Sequence, residues 1–374
     1  MSSLRGLWTR HRRRIFVSVG VLGAGYAVYR LYASHRQRVL ELELQCEGKR
    51  RADELVKAQL QAHFLNIQRI SDTTTLPYAM NFLRSRISEE LDLSYLTEKL
   101  MQGKGQSNTL TPNEKVELWE KLKILSFTRT ASSLWAMTML CLYVRVQVNI
   151  LGRHLYFEAA RGFGSSQSQD EANPFDRHGE QEFLATADYL SSYGIGTLIL
   201  KMQNAVTEVM REKQLRNPFN MIQLHEMMMQ ILNFFMSSEA PNSWLACLIP
   251  ENASQYRQLV AMSSNGFEDS TMLMDVSKLE QLMVETRAVL SSSDFGHIME
   301  MSLRRIVDGL IEDISVHIGG SPHSGVPLAK LLPRVAQSSP SLLEEPNKNK
   351  FVQIIRGLPE VELFFTLLYA NTGS

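Results

Sequence analysis

Nine histidines, three cysteines and an equal number of basic and acidic side chains, 39 of each, are the material available for chemistry in these 374 residues. Few of them stand at spacings that chemistry uses. His225-Glu226 begins the pattern in which two imidazoles one helical turn apart hold zinc and the glutamate acts as base. The second imidazole's place is taken by Met229, so no zinc site follows. Gly162-x-Gly164 is followed by Ser165, Ser166 and Gln167. It lacks the third glycine and follows no clear strand, so it does not read as a dinucleotide loop. The sequence contains no Walker loop and no Gly-x-Ser-x-Gly nucleophile elbow. Cys46, Cys141 and Cys247 are far apart, no pair has metal-ligand spacing, and they read as reduced thiols in a reducing compartment. The remaining histidines are scattered, and no catalytic role, metal or cofactor is assigned. Zero net charge gives no reason to expect a nucleic-acid partner. The chain therefore reads as a docking protein rather than an enzyme. A membrane-tethered helical enzyme of unknown reaction is the alternative.

Recognition needs apolar anchors on a defined face, and Thr111 to Tyr156 supplies them. The stretch opens with Thr111, Pro112 and Glu114, the spacing of a capping box with proline at the first helical position. An amphipathic helix follows, then the uncharged run Thr130 to Val144 between Arg129 and Arg145. On a helical wheel, Leu125, Leu118, Leu122, Lys115 and Trp119 share an arc of about 120°. Val116, Phe127 and Ile124 form a second arc, shared with Glu120. One arc can face the protein's own core and the other a partner; equally, both can be internal. The uncharged run is expected to be a buried core helix, since no basic cluster or aromatic belt flanks it. A second membrane span is the competing reading.

The N-terminus has a different character. Arg10, His11, Arg12, Arg13 and Arg14 precede the charge-free run Ile15 to Tyr29. That run is short for a span of about 20 residues, but Arg30 can snorkel, and Tyr26, Tyr29 and Tyr32 sit where an interfacial belt belongs. The expected organisation is a basic tail over residues 1–14, a transmembrane anchor over 15–33, and a helical body over 34–374. Lys and Arg flank the anchor on both sides, so charge does not set its orientation.

The body is expected to be all-α. A solvated helix should run from Ser34 to Phe64. Further helices are expected over Tyr78–Arg86, Glu89–Met101, Glu182–Met210 with a break near Gly194, Val276–Leu290 and Phe295–Ile318. A last helix should cover Phe351–Ala370, kinked at Gly357-Leu358-Pro359. Gln102–Thr109, Gly162–Gln181, Ser237–Asn242 and Gly319–Gly325 read as loops or turns, and Ala336–Lys350 as a polar, proline-containing connection. The methionines of Pro218–Met236 read as core filler rather than recognition surface.

The basic cluster and short apolar run, with NEKVELWEKLKILSFTRT, RVQVNILGRHLY and VPLAKLLP, resemble the peroxin-3 family. The resemblance runs from the anchor to the last helix and is strongest from Asn113 to Tyr156. It implies an elongated single-domain helical bundle behind one N-terminal transmembrane anchor, held in the peroxisomal membrane and facing the cytosol. It implies docking of the import receptor peroxin-19 through an amphipathic N-terminal helix, and contact with peroxisomal membrane lipid through the anchor. Matched residue by residue, Trp119 takes the place of the family's central groove tryptophan. Leu122, Lys115, Leu118 and Leu100 are its neighbours, and Lys330 is a basic residue at the groove edge. Targeting information falls on Arg10, Arg12, Arg13, Arg14 and the anchor.

Overall fold

The computed structural model describes residues 45–51, 54–55, 57–59, 61–105, 111–162, 174–238, 240–263, 276–318 and 325–370, together with Arg30, Arg36 and Arg38. The basic tail and almost all of the anchor lie outside these residues. The chain divides into two units, residues 1–63 and Phe64–Ser374. In the first, the described residues are helical and mostly exposed, with ion pairs such as Arg51–Glu47 one turn apart, as expected of a solvated helix.

The second unit is all-α. Residues 64–70 (α1) pass through a π-helical turn, Ser71–Thr75, into α2 (Leu76–Glu90). Then come α3 (Ser94–Gly105), α4 (Pro112–Gly162), α5 (Pro174–Ala185), α6 (Ile195–Met210), α7 (Met221–Ser237) and the single turn α8 (Leu245–Leu248). The order continues with α9 (Ala253–Ser263), α10 (Val276–Leu290), α11 (Ser293–Ile318), α12 (Leu328–Leu342), α13 (Lys350–Arg356) and α14 (Pro359–Ala370). Among the described residues the extended structure is one two-residue antiparallel ladder, β1 (Pro218–Phe219) with β2 (Val326–Pro327), pairing Pro218 with Pro327 and Phe219 with Val326.

The 51-residue α4 is the axis of this unit, and α2, α6, α10, α11, α12 and α14 all pack on it. From Thr130 to Gly152 every residue is buried. By length and composition the helix could cross a membrane, but its most apolar 18-residue window is wholly buried inside the protein. Its polar side chains explain why protein and not lipid surrounds it. Thr130 Oγ1 donates to the Val335 carbonyl at 2.7 Å, and the Ser133 and Ser339 hydroxyls meet at 2.6 Å. Tyr143 and Gln147 both reach Thr186 Oγ1, at 2.8 and 2.7 Å. Arg145 donates Nε–H to Gln68 Oε1 at 2.7 Å and lies over the Phe365 ring. Each is a hydrogen bond to another element, which hydrocarbon could not supply.

Most expected helices form with small shifts of boundary. The methionines of α7 serve the core: Met221, Met227, Met228 and Met229 are buried. The expected break near Gly194 takes the form of a 3-10 turn, Thr186–Asp188, and a π turn, Leu190–Gly194. Gly194 is needed there because a Cβ would collide with the Cys247 carbonyl. Three expectations fail. The polar segment before Gln181 contains the start of α5, with Pro174 at its first position. The helix expected from Glu89 starts at Ser94, after a turn in which Asp92 accepts the Ser94 N–H. The connection expected from Ala336 is helix to Leu342, continuing through Pro333 and Pro340. That helix survives its prolines because its apolar stripe, Leu328, Leu331, Leu332, Val335 and Leu342, is buried; packing outweighs the lost backbone bonds.

Candidate functional site

The start of α4 is fixed by its cap. The Thr111 N–H and hydroxyl both donate to Glu114 Oε2, at 2.7 and 2.8 Å, and the Glu114 N–H returns to Thr111 Oγ1 at 3.3 Å. These bonds, the backbone one foremost, hold the Glu114 carboxyl below the usual carboxylate range. The cap fixes where α4 begins, about two turns before Trp119.

Two other helices flank the Trp119 face. α3 packs on α4, and Lys99 and Arg129 each add a small lowering influence on Glu114 and Asp92. Asp92 closes the N-terminus of α3: the hydrogen bonds from Ser94, side chain and then backbone, lower its pKa. On the other side α12 is tied down by the Thr130–Val335 and Ser133–Ser339 bonds.

Between the three helices lies an open cleft of ≈ 380 Å³. α4 contributes Trp119, Leu122, Ser126 and Arg129, a single stripe that extends about 15 Å along the axis at 1.5 Å per residue. The N-terminal turn and face of α3 contribute Leu93, Thr97, Leu100 and Met101, and α12 contributes Leu332, Pro333, Ala336, Gln337 and Pro340. Walls that are mostly apolar, three helical turns in length, have the dimensions of a seat for one amphipathic helix. A smaller cavity of ≈ 180 Å³ lies on another face of α12, lined mainly by Asp313, Arg334, Gln337, Ser338 and Ser341. No group of three His, Cys, Asp or Glu side chains that could hold a metal occurs among the described residues.

The cleft brings together three of the residues singled out from sequence. Trp119 and Leu100 are partly buried, Leu122 is 6% exposed, and all three line it. Leu118 is 8% exposed and does not line the cleft. Lys115 is exposed one turn before Trp119, and Lys330 is exposed on the first turn of α12; neither lines the cleft. The second arc of the wheel splits, with Phe127 wholly buried and Val116 60% exposed. Arg10, Arg12, Arg13 and Arg14 lie outside the described residues.

Two groups of lining residues escaped the sequence reading. Ser126 and Arg129 share the arc of Trp119 and Leu122 at helical spacing: Ser126 was passed over because the arc was read for apolar anchors, and Arg129 lay just beyond the wheel. Leu332, Ala336 and Pro340 are each one turn apart, but two prolines masked that periodicity.

The family model named Peroxin-3 matches residues 104–371. Peroxisome biogenesis protein 3-1 of Arabidopsis thaliana is 47% identical over 372 residues, covering 99% of this chain and 99% of its own. Peroxisomal biogenesis factor 3 of Homo sapiens is 25% identical over 389 aligned residues, covering 98% of this chain and 97% of its own. The protein of the same name in Debaryomyces hansenii is 23% identical over 345 residues, covering 84% and 79%.

Proposed function

On the premise that this chain belongs to the Peroxin-3 family, whose members are peroxisome biogenesis factors and not enzymes, we propose that it is the membrane docking factor for the import receptor peroxin-19. By this reading it sits in the peroxisomal membrane through one anchor over residues 15–33. The body faces the cytosol, accepts the receptor's amphipathic N-terminal helix, and so supports insertion of peroxisomal membrane proteins.

The observation that carries the reading is the cleft between α3, α4 and α12, with Trp119 partly exposed on its wall. An aromatic side chain in a groove of this size is the usual dominant contact of a helix-in-groove interface, costing about 2 kcal/mol or more on truncation. Lys115 and Lys330 outside the cleft are placed to attract acidic groups on the visitor. At an exposed rim each contributes about 1 kcal/mol or less and acts mainly on association rate. The test is titration of the full chain, in lipid nanodiscs, with a labelled peptide of the peroxin-19 N-terminal region. Saturable binding supports the reading, and absence of binding at any accessible concentration removes it.

A further inference from the structure

Two polar groups of the cleft wall, on Ser126 and Arg129 of α4, have no partner among the described residues, whereas Thr97 and Gln337 are hydrogen-bonded. Arg129 lines the cleft, is partly buried, and its Nε–H has no hydrogen-bond partner among the described residues. Ser126, one turn earlier on the same stripe, has a buried hydroxyl with no partner among the described residues. Burial works against the guanidinium's charge and lowers its pKa, offset only in part by Asp92, which precedes α3, caps it through Ser94 and forms no ion pair with Arg129. A partly desolvated cation in an apolar slot costs free energy until an anion arrives.

We propose that Arg129 is a specificity-determining residue of this cleft, accepting an aspartate or glutamate of the docked amphipathic helix while its apolar side chains cover Trp119, Leu122 and Leu100. The inference rests on the docking reading and adds to it the chemistry of the visitor. An apolar helix face of about three turns must carry one carboxylate, at the end of the face opposite the part that covers Trp119. Arg129 and Trp119 are ten residues apart on α4, so carboxylate and indole contact are separated by about 15 Å along the visitor. A guanidinium offers a planar fork of N–H groups, and a carboxylate matches it with two parallel bonds. The Ser126 hydroxyl stands beside this pair as a further donor. The requirement also works negatively: an equally apolar helix without the carboxylate would bury the cation unpaired and be rejected.

The test is a double-mutant cycle on the full chain in nanodiscs. The protein is varied as Arg129→Gln and Arg129→Lys. The probe is the labelled peroxin-19 N-terminal peptide, made also as a series in which each Asp or Glu in turn becomes Asn or Gln. On the wild-type protein, one peptide of the series should bind about tenfold more weakly than the parent. Arg129→Gln should weaken the parent peptide by a similar factor yet scarcely change the affinity of that one peptide. Arg129→Lys, keeping the charge without the fork, should fall between. Equal losses across the whole series, with no coupling to any carboxylate, overturn the inference while leaving docking intact. If the wild-type protein binds none of the peptides, the docking reading itself fails. An unchanged affinity throughout the series on wild-type protein overturns the inference by itself, and should Arg129→Gln not fold, the conservative Arg129→Lys supplies the coupling that separates Arg129 from Lys115 and Lys330.

Discussion

Trp119→Ala separates the two roles an indole can have here. A Trp side chain presents 150–250 Å² for burial, and Trp119 is partly covered in the free protein by the core it packs against. Roughly 100 Å² at most remains for a partner to cover, worth about 2.5 kcal/mol at 25 cal/mol per Å². Allowing for contacts retained by a smaller side chain, the loss on binding should be about 2 kcal/mol, or some thirtyfold in Kd. The fold should lose stability too, by a few kcal/mol, but should stay cooperative, because the buried stretch of α4 from Thr130 onward does not touch this change. Fluorescence anisotropy with the peroxin-19 peptide gives the first number; far-UV circular dichroism and thermal unfolding give the second. Val116→Ala is the control, since Val116 is 60% exposed and does not line the cleft. It should leave Kd within about twofold. The reasoning is refuted if the two variants bind alike, or if Trp119→Ala abolishes helicity and so shows the indole to be core.

Four further outcomes follow from the geometry. Lys115→Glu with Lys330→Glu should slow peptide association and flatten its salt dependence, with little change in dissociation, as stopped-flow measurement at two ionic strengths would show. Thr186→Val should cost about 2–4 kcal/mol in chemical denaturation, because Thr186 Oγ1 donates to the Phe183 carbonyl and so must accept from both Tyr143 and Gln147, all in the interior. Gly194→Ala should lower the unfolding temperature more than any surface substitution, since its Cβ would strike the Cys247 backbone and no flexible side chain is there to yield. His154 titrates below its ordinary value of 6.5, chiefly through burial and then through Lys278 and Arg153. The unfolded chain therefore takes up the proton first, so the His154 contribution is present above 6.5 and is lost as pH falls through the depressed value. His154→Gln should remove that part of the slope in unfolding free energy against pH.

Much of this was legible because local rules and packing agree. The Thr111-Pro112-Glu114 cap, the uncharged run after Arg129 and the methionines of α7 each needed one pattern, and the tertiary structure reinforces it. The lack of a flanking basic cluster or aromatic belt argued for a protein interior around the apolar run of α4, and the bonds of Thr130, Ser133 and Tyr143 to other elements supply the reason. Legibility ended where tertiary burial overrode local propensity. The polar, proline-containing stretch from Ala336 read as a connection, but the buried stripe of α12 keeps the segment helical to Leu342. That error hid one wall of the cleft. The wheel identified Trp119 and Leu122 but could not tell which apolar neighbour would be covered, because that depends on α3 and α12. Leu118 therefore went inside while Ser126 and Arg129 faced the opening.

Hydrogen exchange on the full chain in nanodiscs, with and without saturating peroxin-19 peptide, tests the docking assignment most directly. Protection should appear in α3, in α4 from Pro112 to about Arg129, and in α12, the three walls of the cleft, with α7 and α10 unchanged. Protection confined to other helices, with those three walls exchanging as before, would contradict the account.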